Sequence, residues 1–107
     1  MSWSSIDSGS KTADGTEQTL STQTTSGTYV FGIDTANMAN GDVIEIRIKT
    51  KMRSGDSSQL AYFVSYANAQ SELNKYSVAI AVDVEIVVTL KQTAGTNRTY
   101  LWALLRT

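Results

Sequence analysis

The sequence predicts an all-β protein: an antiparallel β-sandwich, jelly-roll-like, of about seven to eight strands. Three observations predict it. Apolar residues recur at every second position through most of the chain after residue 15, the period of a strand with one buried face. Those positions are filled largely by β-branched and aromatic residues, which fit a pleated surface. Glycine follows a small or polar residue at Ser26-Gly27, Asn40-Gly41, Ser54-Gly55 and Ala94-Gly95, between the periodic runs, where turns need positive φ.

Each element follows in chain order. Residues 1–15 are mostly Ser, Gly, Asp and Thr around two apolar anchors, Trp3 and Ile6. So little apolar surface does not offset the entropy of ordering the segment. The expectation is a flexible N-terminal arm, 1–15, ahead of a sandwich domain, 16–107. A frayed terminus is its ordinary reading. The functional one is an arm that orders against a neighbouring subunit, with Trp3 as the anchor.

Thr16–Thr22 is a short polar strand candidate. "TYVFGID" sets Tyr29, Phe31 and Ile33 on one side, and "DVIEIRIKTKM" does the same with Ile44, Ile46, Ile48 and Met52. "QLAYFVSYA" opposes Leu60, Tyr62, Val64 and Tyr66 to Ala61, Phe63, Ser65 and Ala67. "YSVAIAV" reads as one strand with Tyr76, Val78, Ile80 and Val82 together, and "VEIVVTLKQ" turns Ile86, Val88 and Leu90 inward. "TYLWALLR" closes the chain and is apolar on both faces: Tyr100, Trp102 and Leu104 against Leu101, Ala103 and Leu105. Such a strand is either covered twice or partly buried by another chain. Thr35–Asn40 and Asn68–Lys75 are too long for tight hairpins. They are expected to cross between sheets, each with room for a helical turn.

Composition excludes several functions. The chain has 107 residues, no His and no Cys, and a net charge of −1. It therefore lacks the commonest general base, the commonest zinc ligand and the thiol nucleophile, so catalysis is disfavoured and no cofactor or metal is expected. Asp34, Asn37, Asn40 and Asp42 lack the alternating spacing of a calcium loop and read as turn residues. Asp83 and Glu85 share a strand face, whereas a glycosidase pair flanks its substrate. "NRT" at Asn97 matches a glycosylation acceptor and is expected to be a chance match, since residues 1–15 do not read as a secretory signal. No apolar run approaches a membrane span, and the product is expected to fold in a cytoplasm.

One row stands out. Arg47, Lys49, Lys51 and Arg53 sit two apart, so on a strand they project from one face at ~7 Å intervals. A solvated face whose charges discourage edge pairing is the ordinary reading. A docking face for an acidic protein comes next, and a single-stranded nucleic-acid groove comes last, because stacking aromatics would have to lie beside the charge.

From Gly15 onward, "GTEQTLSTQTTSGTY", "MANGDVIEIRIKTK" and "KQTAGTNRTYLWALL" resemble, in the order and spacing of their "TEQ", "GD.IE.R", "KQT.GT.R" and late Trp, a family of small proteins encoded among tailed-phage structural genes. The resemblance implies a non-enzymatic virion component, a capsid decoration or cement protein on the capsid surface that braces joints between major capsid subunits. It also implies that Glu17, Arg47 and Arg98 hold strand ends, through a Glu–Arg pair or an Arg–backbone contact. The expected partners are the major capsid protein and further copies of the chain, with no membrane and with nucleic acid disfavoured. The residues expected to carry the contact are Trp3, Ile6, Arg47, Lys49, Lys51, Arg53 and Trp102. The alternatives are a single-stranded nucleic-acid-binding domain and a carbohydrate-binding module.

Overall fold

The computed structural model describes residues 2–107. Among the described residues nine strands form: β1 Ser4–Thr12, β2 Gln18–Gln23, β3 Gly27–Asp34, β4 Val43–Lys51, β5 Gln59–Ala67, β6 Asn74–Tyr76, β7 Ile80–Val82, β8 Glu85–Ala94 and β9 Thr99–Arg106. They make two antiparallel sheets. One runs β1-β9-β3-β6, with β7 also on β3, and the other runs β2-β8-β4-β5. The expected β-sandwich is thus the observed one. If β6 and β7 are counted as a single interrupted strand, the chain alternates between the sheets except at the β4–β5 hairpin, and the strand order is that of a jelly roll.

Alternation explains the core. Tyr29, Phe31 and Ile33 of β3 and Tyr100 and Leu104 of β9 meet Ile44, Ile46 and Ile48 of β4 and Ile86, Val88 and Leu90 of β8. All are fully or almost fully buried, and at roughly 1.5–3 kcal/mol per large apolar side chain their burial is the main force for folding. Both loops expected to cross between the sheets do so, without a helix. In the first, the Thr35 backbone N–H and hydroxyl both donate to the Leu73 carbonyl, at 2.8 and 2.7 Å, and Met38 plugs the end of the core.

Four expectations are corrected. The segment expected to be an arm carries β1, an edge strand paired with β9 from Ser4–Arg106 to Thr12–Thr99. Ile6 sits at its bulge and packs against the core. The "YSVAIAV" run is two short strands, because Ser77 interrupts it. Its N–H donates to the Phe31 carbonyl and its hydroxyl accepts from the Phe31 N–H, at 2.8 and 2.9 Å, so a side chain stands in for a ladder carbonyl. Tyr76 and Val78 are exposed as a result, while Val82 stays buried. Met52 lies past the end of β4 and is exposed. Leu60 precedes a register shift in the β4–β5 pairing and is exposed as well.

Candidate functional site

The basic row belongs to the outer face of the β2-β8-β4-β5 sheet, as its spacing requires, but its charges are already matched. The Arg47 guanidinium is 2.9 Å from Glu45, Lys49 is 3.0 Å from Glu17, Lys51 is 3.8 Å from Glu85, and Arg53, beyond the strand, is 3.2 Å from Asp56. Register explains one pair directly, since Lys51 and Glu85 are cross-strand partners. Glu17 also accepts from the nearly buried Thr89 hydroxyl at 2.7 Å. That hydrogen bond, followed by the Lys49 ammonium, holds its carboxyl below the usual range. Arg47 also lies over the Phe63 ring, 4.9 Å from the centroid. Four cations of the row stand beside four carboxylates, and Lys91, across from Glu45, is the further cation of this face, so the net excess is about one positive charge, far from the field that attracts a phosphate chain.

A second polar group lies at one end of the sandwich. Asp42 is 1% exposed. One carboxylate oxygen accepts from the Ala39 N–H and the Arg98 guanidinium, both at 2.9 Å, and the other accepts from the Thr96 N–H at 3.0 Å. The Ala39 N–H is the largest cause, with Arg98 and Thr96 adding to it, of an Asp42 pKa below the ordinary aspartate range. Gln92 completes the knot. It donates to the Ala94 and Thr96 carbonyls and accepts from the Arg98 N–H and the Tyr100 hydroxyl. Burial, with the Asp42 charge adding to it, pushes the Tyr100 phenol up to about 12. Gly95 has φ +85°, and a Cβ there would come 2.1 Å from Asp42 Oδ1. Asp42, Gln92, Arg98 and Tyr100 are all tied into the fold. Among the described residues, no group of three or more acidic side chains is placed to hold a metal.

The outer face of the β1-β9-β3-β6 sheet differs in kind. Leu101, Ala103 and Leu105 of β9 point outward between Ser8 and Ser10 of β1 and Val30 and Gly32 of β3. Tyr76 lies over Gly32, where a Cβ would meet its ring at 3.0 Å. Leu101 is 55% exposed and Tyr76 60%. Asp34 is the single charge on the outward positions of β9 and β3, and its carboxylate accepts from the Ala36 N–H. One face is therefore charged and self-paired, while the other is apolar with a border of hydroxyls.

Comparison with protein-family models, curated proteins and solved structures finds no match.

The structure does not bring the expected contact residues together. Arg47, Lys49 and Lys51 lie on one sheet, with Arg53 in the loop beyond it, and Trp3 and Ile6 belong to the edge of the other. Trp3 is exposed, whereas Ile6 is partly buried. Trp102 points inward and stacks on Phe31 with the ring centroids 6.3 Å apart. Of the residues tied to strand ends, Arg98 pairs with Asp42 rather than a Glu, Arg47 pairs with Glu45, and Glu17 takes Lys49. Sequence reasoning missed Tyr76 and Val78 as surface residues. Their alternation looked buried, and only the Ser77 interruption turns them outward.

Proposed function

We propose that the chain is a non-enzymatic virion structural protein of a tailed phage. It is a decoration or cement protein on the capsid surface that seats the outer face of its β1-β9-β3-β6 sheet on the major capsid protein. The observation that carries the reading is the segregation of the two faces. The basic row of the charged face is paired with carboxylates, and the face with Leu101, Leu105 and Tyr76 offers apolar surface to a partner. A jelly roll whose buried polar groups serve the fold suits a protein that works by burying surface. The resemblance of "GD.IE.R" and "KQT.GT.R" to phage structural proteins supplies the partner. The basic row is then a solvated outer face that discourages sheets from stacking or pairing.

Co-sedimentation with empty capsids tests this reading. The expected outcome is saturation at a stoichiometry set by capsid symmetry, and a chain that stays in the supernatant at every concentration overturns it. A carbohydrate-binding module is the second reading, favoured by one observation. A shallow hollow of about 290 Å³ beside Tyr76 is lined by Asp34, Asn74, Leu101 and Trp102. An aromatic plate with neighbouring carboxylate and amide groups is the chemistry that binds a sugar ring, and quenching of aromatic fluorescence by an oligosaccharide would reveal it.

A further inference from the structure

Among the described residues five strands lie at sheet edges, and four of them carry devices against pairing. β1 is bulged at Ile6 and holds Asp7 and Lys11. β2 is six residues long with a register shift between Thr19 and Ser21. β6 and β7 have three residues each and are separated by residues 77–79. Short, bulged or charged edges resist templated pairing with another chain. β5 has none of this over most of its length. It spans nine residues, Gln59–Ala67, without one charge, ends its sheet, and shifts register only near its start. Its inward residues Tyr62, Val64 and Tyr66 are only partly buried, because the short β6 faces it across the sandwich. Phe63 and Leu60 are exposed on the outer side. The Gln70 side chain donates to the Ala67 carbonyl and so closes the far end of the strand.

The sequence of this edge identifies what covers it. Read outward from Val64, the strand is Phe63 and Ser65, then Tyr62 and Tyr66, then Ala61 and Ala67. Two of the three flanking pairs are identical, so the strand is close to its own complement when run antiparallel. We infer that β5 pairs with β5 of a second copy of this chain about a two-fold axis at Val64. Two four-stranded sheets then join into one of eight strands. In that register Tyr62 meets Tyr66 of the second copy, and no like charges oppose one another; the ladder runs over residues 62–66, since Ala61 is the bulged residue and Gln70 already occupies the Ala67 carbonyl. Main-chain hydrogen bonds supply the attachment, and the half-buried tyrosines extend the core across the junction. The axis is normal to the sheet, so the β9 faces of both copies point the same way. The dimer does not depend on the capsid reading.

Cross-linking and charge variants test the register. The chain has no native cysteine. Val64→Cys places two thiols opposite each other at Cα separations of about 4.5–5.5 Å, within disulfide reach. Ser65→Cys places them diagonally, roughly 8 Å apart or more, outside it. Mild oxidation is expected to give a covalent dimer from V64C and little from S65C. Two double variants at exposed positions serve where V64C does not fold. Phe63→Lys with Ser65→Lys opposes like charges across the junction and is expected to sediment as a folded monomer. Phe63→Glu with Ser65→Lys opposes unlike charges and is expected to remain a dimer. A wild-type chain that is monomeric at every concentration overturns the inference. So do equal cross-linking of V64C and S65C and a dimer indifferent to the sign of residue 63.

Discussion

The Asp42 carboxylate lies 2.9 Å from the Arg98 guanidinium, and the pair ties the start of β4 to the loop that enters β9, 56 positions apart in the chain. Asp42 is buried with three donors aimed at its two oxygens, so removing it strands the Ala39 and Thr96 N–H groups and a guanidinium. Asp42→Ala is expected to lower Tm by roughly 10 °C or more, because unsatisfied buried donors cost more than the bonds they made. Thermal unfolding followed by circular dichroism measures it. Arg98→Lys keeps the charge, loses the planar fork, and is expected to fall in between.

Gly95 sits against the same carboxylate. Gly95→Ala places a methyl group into Asp42 and forces a side chain into the left-handed region. The expected cost is roughly 2 kcal/mol or more, read as a lower urea midpoint with an unchanged slope. Gly55→Ala, where φ is +90° but no atom lies within 4 Å, is expected to cost less. The difference isolates the collision with Asp42.

Stability should fall at both ends of the pH range. Asp42 and Glu17 have folded pKa values below the ordinary 3.8 and 4.5, so unfolding takes up protons in acid. Their contribution is complete above those ordinary values and is lost as pH drops through the depressed folded ones. Tyr100 runs the other way. Its folded pKa is about 12 against an ordinary 10.0, so its contribution is complete below 10.0 and disappears as pH rises toward 12. Urea midpoints across pH should form a plateau with both limbs, and Tyr100→Phe should flatten the alkaline one.

The ion pairs of the charged face are partly solvated and contribute little each. Lys49→Gln is expected to change stability by less than about 1 kcal/mol. Because the row is self-neutralised, the wild-type chain is expected to give no gel shift with a single-stranded oligonucleotide, even at low salt. A shift that fades steeply with added salt would restore the nucleic-acid reading.

Much of the fold was legible in the sequence, and the misses have physical causes. Gln59–Ala67 and Thr99–Arg106 form strands over the runs that alternation marks, since each has one face against the core. β1 was illegible because it contributes backbone pairing rather than apolar side chains. Its Gly9 lies opposite Trp102, where a Cβ would sit 3.5 Å from the indole. Part of the apolar excess of β9, which suggested burial by another chain, is covered by the protein's own N-terminal strand. The spacing of the basic row holds for Arg47, Lys49 and Lys51 but not for Arg53, which lies past the end of β4, and its pairing was hidden because Glu17 and Glu85 reach it from distant parts of the sequence. The Asp42 knot was hidden for a similar reason: "GD" and "KQT.GT.R" were visible, but nothing local shows that they meet.

Saturation binding to empty capsids, with one variant on each face, bears most directly on the proposed role. Leu101→Asp puts a charge on the apolar β9 face, and Lys49→Gln removes one from the opposite sheet; both residues are solvent-facing, so both variants should fold. The expected result is wild-type stoichiometry for Lys49→Gln and a loss of binding of tenfold or more for Leu101→Asp, roughly the cost of burying an unpaired charge at an interface. Equal binding by all three proteins, or loss with Lys49→Gln alone, would contradict the assignment of the β9 face as the capsid-docking surface.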